Sequence, residues 1–142
     1  DSAGWLKNPA PAPGRVPSGV AGKCMDVNGA NDADGTAVQT WSCGDSANQY
    51  WSAYTDGTLR SLGKCLDAAG GATANGTKVQ LWACHGGSNQ KWEPYNGSYR
   101  NPASGRCLDV PGPPTADDTH LVLCDCNGGS NQKSPTLTTA GT

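Results

Sequence analysis

Three kinds of polar and aromatic side chain recur together along the chain. An aspartate, a tryptophan and an asparagine occur twice at the same spacing, as Asp26, Trp41 and Asn48 and as Asp67, Trp82 and Asn89. A carboxylate accepts hydrogen bonds from hydroxyl groups, an amide donates them, and an indole ring offers a flat face to C–H bonds. A pocket for a neutral sugar needs these three contacts, so the pattern predicts two such pockets.

Each of these residues also has an ordinary structural explanation. An aspartate after a strand is often a turn former, and a tryptophan in a strand is often part of the core. Trp41 and Trp82 each lie two residues before a cysteine, Cys43 and Cys84, which fits a core position. The recurrence of the whole set at one spacing favours the pocket interpretation.

The two sets belong to an internal repeat. The segment Lys-Cys-Met-Asp at 23–26 recurs as Lys-Cys-Leu-Asp at 64–67 and Arg-Cys-Leu-Asp at 106–109, with offsets of 41 and 42 residues. A repeat of this length is typically one supersecondary unit that buries its apolar face against its neighbours. We place the repeats at about 14–54, 56–95 and 96–137, within one domain spanning 14–142.

Cysteine spacing indicates cross-links inside the repeats. Six of the seven cysteines form pairs of identical separation: Cys24 with Cys43, Cys65 with Cys84 and Cys107 with Cys126. This predicts three intra-repeat disulfides and an oxidising, extracellular setting for a secreted protein. Zinc is the alternative, but closely spaced cysteine pairs are missing apart from Cys124-Asp125-Cys126. Cys124 is left unpaired, as a free thiol or as a bridge in a Cys124-linked dimer.

Short apolar segments alternate with glycine-containing turns in every repeat. Turn dipeptides occur at Asp34-Gly35 and Asn75-Gly76, and helical periodicity is absent. We predict four short strands per repeat, from lead-in strands at 15–16, 59–60 and 99–100 to a last strand containing the Asn-Gln pair. The fold class is all-β with the three repeats around a pseudo-threefold axis, although strand counting alone leaves a propeller or a barrel open.

The motifs Cys-Leu-Asp, Val-Gln-x-Trp-x-Cys and Asn-Gln-x-Trp, repeated at this period, resemble the ricin B-chain type (QxW) lectins and family 13-like carbohydrate-binding modules. The resemblance covers about 14–137 and implies a β-trefoil. It implies that the tryptophans stack on sugar, that Trp51 and Trp92 are core residues, and that Gln49 and Gln90 brace the aspartates. The implied binding residues are Asp26, Gln39, Trp41, Asn48 and Gln49, and Asp67, Gln80, Trp82, Asn89 and Gln90.

The third repeat departs from the pattern. Asp109, Asn131 and Gln132 are present, but the other positions hold Val122 for the strand glutamine, Cys124 for the stacking tryptophan, Ser134 for the closing tryptophan and Asp118 for the turn glycine. Without an aromatic face, this third site is predicted to be dead or weak.

Composition excludes several kinds of partner. The net charge of −2 argues against nucleic acid and against an anionic membrane, and no apolar run approaches the length of a membrane span. Residues 1–13, with alternating proline and alanine, are predicted to be an extended linker. Trp5 within it is either a remnant of a longer parent chain or docks on the domain.

No motif points to catalysis, a metal or another cofactor. The loop at 31–35 resembles a calcium loop, but its spacing would put the last carboxylate at Trp41. His85 and His120 are not placed in sequence beside a nucleophile and an orienting acid.

We therefore expect a secreted, non-catalytic carbohydrate-binding module that targets a polysaccharide-degrading enzyme to its substrate. Its ligand would be a mono-, oligo- or polysaccharide of galactose, xylan or arabinan type. A free-standing galactose-type lectin is the first alternative, and a protein-binding trefoil such as a protease inhibitor is the second, because one fold can carry unrelated functions.

Overall fold

The computed structural model describes residues 14–15, 22–111 and 119–133, and within them the chain forms twelve short strands. The strands are β1 (Gly14–Arg15), β2 (Lys23–Val27), β3 (Val38–Ser42), β4 (Tyr50–Ala53), β5 (Leu59–Ser61), β6 (Lys64–Ala68), β7 (Val79–Trp82), β8 (Glu93–Tyr95), β9 (Ser98–Asn101), β10 (Arg106–Asp109), β11 (Thr119–His120) and β12 (Val122–Asp125). The predicted linker at 1–13 with Trp5, as well as Val16, Asp118 and Ser134, lies outside the described residues.

All strand pairs are antiparallel and form three sheets, in the orders β1-β4-β5-β6-β7, β12-β10-β9-β8 and β11-β3-β2. In each repeat a hairpin joins the strand with the aspartate to the following strand: β2 to β3, β6 to β7 and β10 to β12. The all-β prediction is confirmed. Across the described ranges, no helix is long and apolar enough to cross a membrane.

The three hairpins meet at equivalent residues. Val38, Val79 and Leu121 occupy one position of the repeat and are buried. The Val79 amide donates to the Leu121 carbonyl at 3.1 Å, and the Leu121 amide donates to the Val38 carbonyl at 2.8 Å. The interior therefore has a threefold arrangement, because each repeat supplies a buried apolar residue at the same position.

Two tryptophans are central to the core. Trp51 is 0% exposed and Trp92 is 5% exposed. Their Nε1 atoms donate to the carbonyls of Met25 and Leu66 at 3.1 Å and 3.0 Å. A buried indole N–H needs such an acceptor, so each ring fixes the end of one repeat to its own aspartate strand.

The segment predicted as an Asn-Gln strand is instead a short 3₁₀ turn in every repeat, at Ala47–Gln49, Ser88–Gln90 and Ser130–Gln132. Successive side chains of a strand point to opposite faces, whereas a turn lets neighbouring asparagine and glutamine reach one carboxylate. Two smaller differences concern strand bounds. The first lead-in strand is Gly14–Arg15, and the strand segment that precedes Cys126 in the third repeat is divided at Leu121 into β11 and β12.

The three predicted disulfides are present, each with a Cα–Cα distance of 5.1 Å. Cys124 is free and half-buried. It lies opposite Cys107 in the β10–β12 ladder. Opposed residues of an antiparallel pair place their side chains on one face with Cα atoms about 4.5–5.5 Å apart, within the range that a disulfide spans.

This register predicts different outcomes for two equivalent cysteine substitutions. In Cys126→Ser, Cys107 should bond to Cys124 and leave no free thiol. In Cys84→Ser, Cys65 faces Trp82 and has no replacement partner, so it stays a thiol and the loop loses about 3 kcal/mol of stabilisation. Thiol titration of the denatured proteins and thermal unfolding measure both effects. Two thiols in Cys126→Ser would contradict the expected exchange.

Candidate functional site

The second repeat builds its site around one buried carboxylate. Asp67 lies in β6 and is 2% exposed. Gln80 Nε2 donates to its Oδ1 at 3.0 Å, while Asn89 Nδ2 and Gln90 Nε2 donate to its Oδ2 at 3.1 Å and 2.9 Å. Burial of a charge is costly unless hydrogen bonds compensate for lost water. Three amide donors provide that compensation and fix the direction of the carboxylate.

The first repeat has the same arrangement of three amide donors around one aspartate. Asp26 lies in β2 and is 5% exposed. It accepts from Gln39 at 3.0 Å, from Asn48 at 3.1 Å and from Gln49 at 2.9 Å. The sequence-predicted polar residues of each repeat are therefore brought together in the structure, in two sites of the same design.

The turn glutamines connect each carboxylate to the end of the following strand. Gln90 Nε2 also donates to the Ala83 carbonyl at 3.0 Å, and its Oε1 accepts from the His85 amide at 3.0 Å. Gln49 makes the corresponding contacts with Ser42 at 3.0 Å and Gly44 at 2.7 Å. Each glutamine thus braces its aspartate, as the resemblance implied, and uses its whole amide in doing so.

Trp41 and Trp82 lie outside the core. They are 42% and 39% exposed, and they are the large apolar residues that the described part of the chain leaves exposed. Each stands opposite a disulfide cysteine, Cys24 or Cys65, in its hairpin ladder. The core alternative is therefore wrong for these two rings, and their faces are free to contact a ligand.

Each ring forms one wall of a cavity that also contains the aspartate of its repeat. The first has a volume of about 400 Å³ and is lined by Asp26, Asn28, Gly29, Gln39, Trp41, Ser42, Gly44, Ser46, Asn48 and Gln49. The second has a volume of about 370 Å³ and is lined by Asp67, Gly70, Gly71, Gln80, Trp82, His85 and Asn89. Gln90 is fully buried and is not part of that lining. Both volumes suit a small ligand.

His85 is a lining residue that the sequence analysis did not assign to the site. Its Nε2 lies 3.7 Å from Asp67 Oδ2, and its Nδ1 accepts from the Gly87 amide at 3.0 Å. Since Nδ1 is an acceptor, the neutral ring carries its proton on Nε2, toward the pocket. The equivalent position of the first repeat is Gly44, so the second pocket has an additional donor. No sequence signal marks it, because the third repeat has Asn127 at this position and the residue is not part of the repeated motif.

The third repeat keeps the carboxylate network without the aromatic wall. Asn131 and Gln132 donate to Asp109 at 3.2 Å and 2.8 Å. Val122 faces Asp109 where the other repeats have glutamine, and Cys124 takes the tryptophan position. Asp109, Asn131 and Gln132 are in contact in the structure. The weakness of this third site stays a prediction.

Within the described ranges, no group of three or more histidine, cysteine or acidic side chains is placed to hold a metal ion. Asp26 and Asp67, the carboxylates at the two pockets, each accept hydrogen bonds from three amide groups. Neither pocket lining contains a second carboxylate.

A β-trefoil with one disulfide per repeat and exposed tryptophans beside buried aspartates defines a binding domain of lectin type. Residues 12–133 match the ricin-type beta-trefoil lectin domain, and the chain belongs to that family. The resemblance stated from the sequence is confirmed. Family membership indicates a non-catalytic domain that binds carbohydrate.

Known relatives share the fold over most of the chain. A non-toxic homologue of type II RIPs from Momordica charantia, solved in complex with α-methyl-D-galactoside, is 29% identical with a TM-score of 0.77. The match covers 92% of this chain and 49% of that one. The designed 3-fold symmetric protein ThreeFoil is 29% identical with a TM-score of 0.76, over 87% of this chain and 96% of that one.

Among curated proteins, ribosome-inactivating protein PMRIPt from Polygonatum multiflorum is 46% identical over 50 residues, which are 35% of this chain and 8% of that protein. The chain thus matches a small part of that relative and about half of the Momordica charantia chain.

The Asp67 network predicts a large effect from a small substitution. Asp67→Asn replaces one carboxylate oxygen by an N–H donor, which then faces at least one of the three amide donors. We expect a loss of about 1–3 kcal/mol in the free energy of unfolding, because a buried polar group is left unpaired. Urea denaturation measures it.

Asp32→Asn is the matched control, since Asp32 is an exposed loop carboxylate. It should change the unfolding free energy by less than about 0.5 kcal/mol. Equal stability of the Asp67→Asn and Asp32→Asn variants would show that the three-donor network does not stabilise the fold.

Proposed function

We propose that the domain binds carbohydrate through the first and second pockets, each of which holds one sugar residue between a tryptophan and an aspartate. The observation that carries the proposal is the repeated pairing of an exposed indole ring with a fixed, buried carboxylate in one cavity. The third repeat, which lacks the ring, is proposed to contribute little or nothing.

The role of each side chain in a pocket follows from its chemistry. Asp67 has its carboxylate direction set by three donors but retains acceptor capacity, since an ionised carboxylate offers about four lone-pair sites. Adjacent hydroxyls of a pyranose can donate to it. Asn89 and His85 border the same space with polar atoms. Trp82 supplies the flat surface for the C–H face of the ring.

The two pockets differ in the polar side chains of their walls. The first has Asn28 and Ser46 in its wall, and the second has His85 where the first has Gly44. A galactose-type ligand is supported by the relative solved with α-methyl-D-galactoside. Xylan and arabinan ligands stay within the proposal, because both offer neutral ring hydroxyls and C–H faces.

We further propose a secreted protein in which this domain holds a polysaccharide-degrading enzyme on its substrate. Three disulfides support the extracellular setting. The proline- and alanine-rich composition of residues 1–13 supports an extended tether. Single pockets with few contacts bind weakly, and two pockets on one rigid domain raise avidity on a polymer.

Paired tryptophan substitutions test the proposal. On native gels containing soluble xylan, galactan or arabinan, Trp41→Ala and Trp82→Ala should each reduce retention at least fivefold. The double variant should migrate as it does without polysaccharide. The expected loss corresponds to about 1 kcal/mol or more per ring, the size of an aromatic contact.

Trp41→Phe and Trp82→Phe are matched controls that keep a flat aromatic face and should retain most of the binding. If the double alanine variant is folded by circular dichroism yet is retained like the unsubstituted protein, the two pockets are not the binding sites. Binding that also survives Asp26→Ala and Asp67→Ala would instead favour a protein ligand.

A free-standing lectin is the second candidate, and the unpaired, half-buried Cys124 favours it by offering a route to a bivalent dimer. This alternative predicts a Cys124-linked dimer on a nonreducing gel and agglutination of cells that Cys124→Ser abolishes. A monomer that binds polysaccharide without agglutinating cells would leave the accessory-module proposal in place.

A further inference from the structure

The wall of the second pocket depends on a turn of the first repeat. We call Asp34 and Gly35 the first-repeat clamp. Asp34 Oδ1 accepts from the Ala83 amide at 2.9 Å, and the Gly35 amide donates to the Leu81 carbonyl at 2.8 Å. Both backbone groups that flank Trp82 are therefore held by the preceding repeat.

The clamp lies beside the Trp82 ring and is held by two lysines. A Cβ atom built on Gly35 would lie 3.8 Å from Trp82 Cζ3, and the φ angle of this glycine is +90°. Lys64 Nζ lies 2.9 Å from Asp34 Oδ1, and Lys78 Nζ donates to the Gly35 carbonyl at 2.9 Å. The glycine thus adopts a conformation that other residues rarely adopt, and it leaves the space beside the ring free of a side chain.

The same device joins the second repeat to the third. Asn75 Oδ1 accepts from the Asp125 amide at 2.8 Å and from Arg106 Nε at 2.7 Å. The Gly76 amide donates to the Leu123 carbonyl at 2.7 Å. This second-repeat clamp, Asn75 and Gly76, flanks Cys124 as the first flanks Trp82. A neutral amide oxygen therefore performs the role that Asp34 performs with a carboxylate oxygen.

We infer that Asp34 is a positioning residue for the second pocket, and that it holds the Trp82 ring at the angle required to stack on sugar. The inference rests on the proposed function. A flexible ring would lose part of the contact free energy to ordering on binding, whereas a ring fixed in advance does not. Asp34 contacts the strand and not the ligand, so its effect passes through Trp82.

The contacts of Asp34 also favour its ionised form. The hydrogen bond from Lys64 holds the pKa of Asp34 below its usual range, although partial burial opposes the shift; the hydrogen bond from Ala83 lowers it further. The carboxylate accepts from both partners through one oxygen, Oδ1.

The test measures each pocket separately in the full chain. A Trp41→Ala background reports on the second pocket and a Trp82→Ala background on the first, by affinity electrophoresis in soluble xylan, galactan and arabinan. Asp34→Ala should weaken retention about fivefold in the Trp41→Ala background, the loss of one hydrogen-bonded support. It should leave retention unchanged in the Trp82→Ala background. Asp34→Asn should restore binding, as Asn75 shows that an amide can fill this position.

Asn75→Ala is the matched structural control. It releases the equivalent clamp on a strand without an aromatic ring, so it should lower the melting temperature by a similar amount and leave both pockets intact. Should Asp34→Ala prove unfolded, Gly35→Ala provides the second variant and should weaken the second pocket alone.

The outcomes distinguish a failure of this inference from a failure of the proposed carbohydrate binding. Equal weakening of both pockets by Asp34→Ala, or equal weakening of the second pocket by Asn75→Ala, would reduce the clamp to a general stabiliser. If the Trp41→Ala parent is not retained in any of the three polysaccharides, the second pocket itself is wrong and Asp34 has no pocket to position.

Discussion

The buried carboxylate is the group on which the architecture of each repeat depends. Asp67 is almost fully enclosed, and an enclosed charge is tolerated only where donors replace the water it loses. Those donors come from Gln80 on the next strand and from the Asn89-Gln90 turn, which is distant in sequence. One side chain therefore fixes a hairpin, a turn and their separation. The disulfide and the buried tryptophan then secure the two ends of a unit whose middle is already determined.

The carboxylate network also recurs in the third repeat, where the aromatic wall is missing. Asp109 keeps two of its amide donors although Val122 supplies none. The aspartate is thus retained for a structural reason in all three repeats. What distinguishes the first two repeats is the pair formed by a strand glutamine and an exposed tryptophan. The proposed binding function therefore adds an exposed tryptophan to a network that the fold already uses.

The sequence predicted well what lies within one repeat. The spacing of cysteines gave the three disulfides, and the resemblance gave the trefoil and the buried positions of Trp51 and Trp92. It failed at the Asn-Gln segment, because strand periodicity does not show that two successive amides must reach one carboxylate. It left His85 out, since a histidine beside a cysteine has no distinctive pattern until the turn folds it toward Asp67.

Contacts between repeats could not be predicted from the sequence for a different reason. The sequence predicts Asp34 as a turn residue, and the turn is formed at that position. Its partner Ala83 lies 49 residues away and is brought near only when the three hairpins close on one another. Closure therefore creates a dependence of one pocket on its neighbour's loop that no single repeat contains. A trefoil built from three similar units can vary its pockets singly, as the third repeat does, while the wall of the second pocket still relies on the turn of the first repeat. The turns of the first and second repeats make the same backbone contacts with the repeat that follows, even though their side chains differ, as Asp34 and Asn75 do.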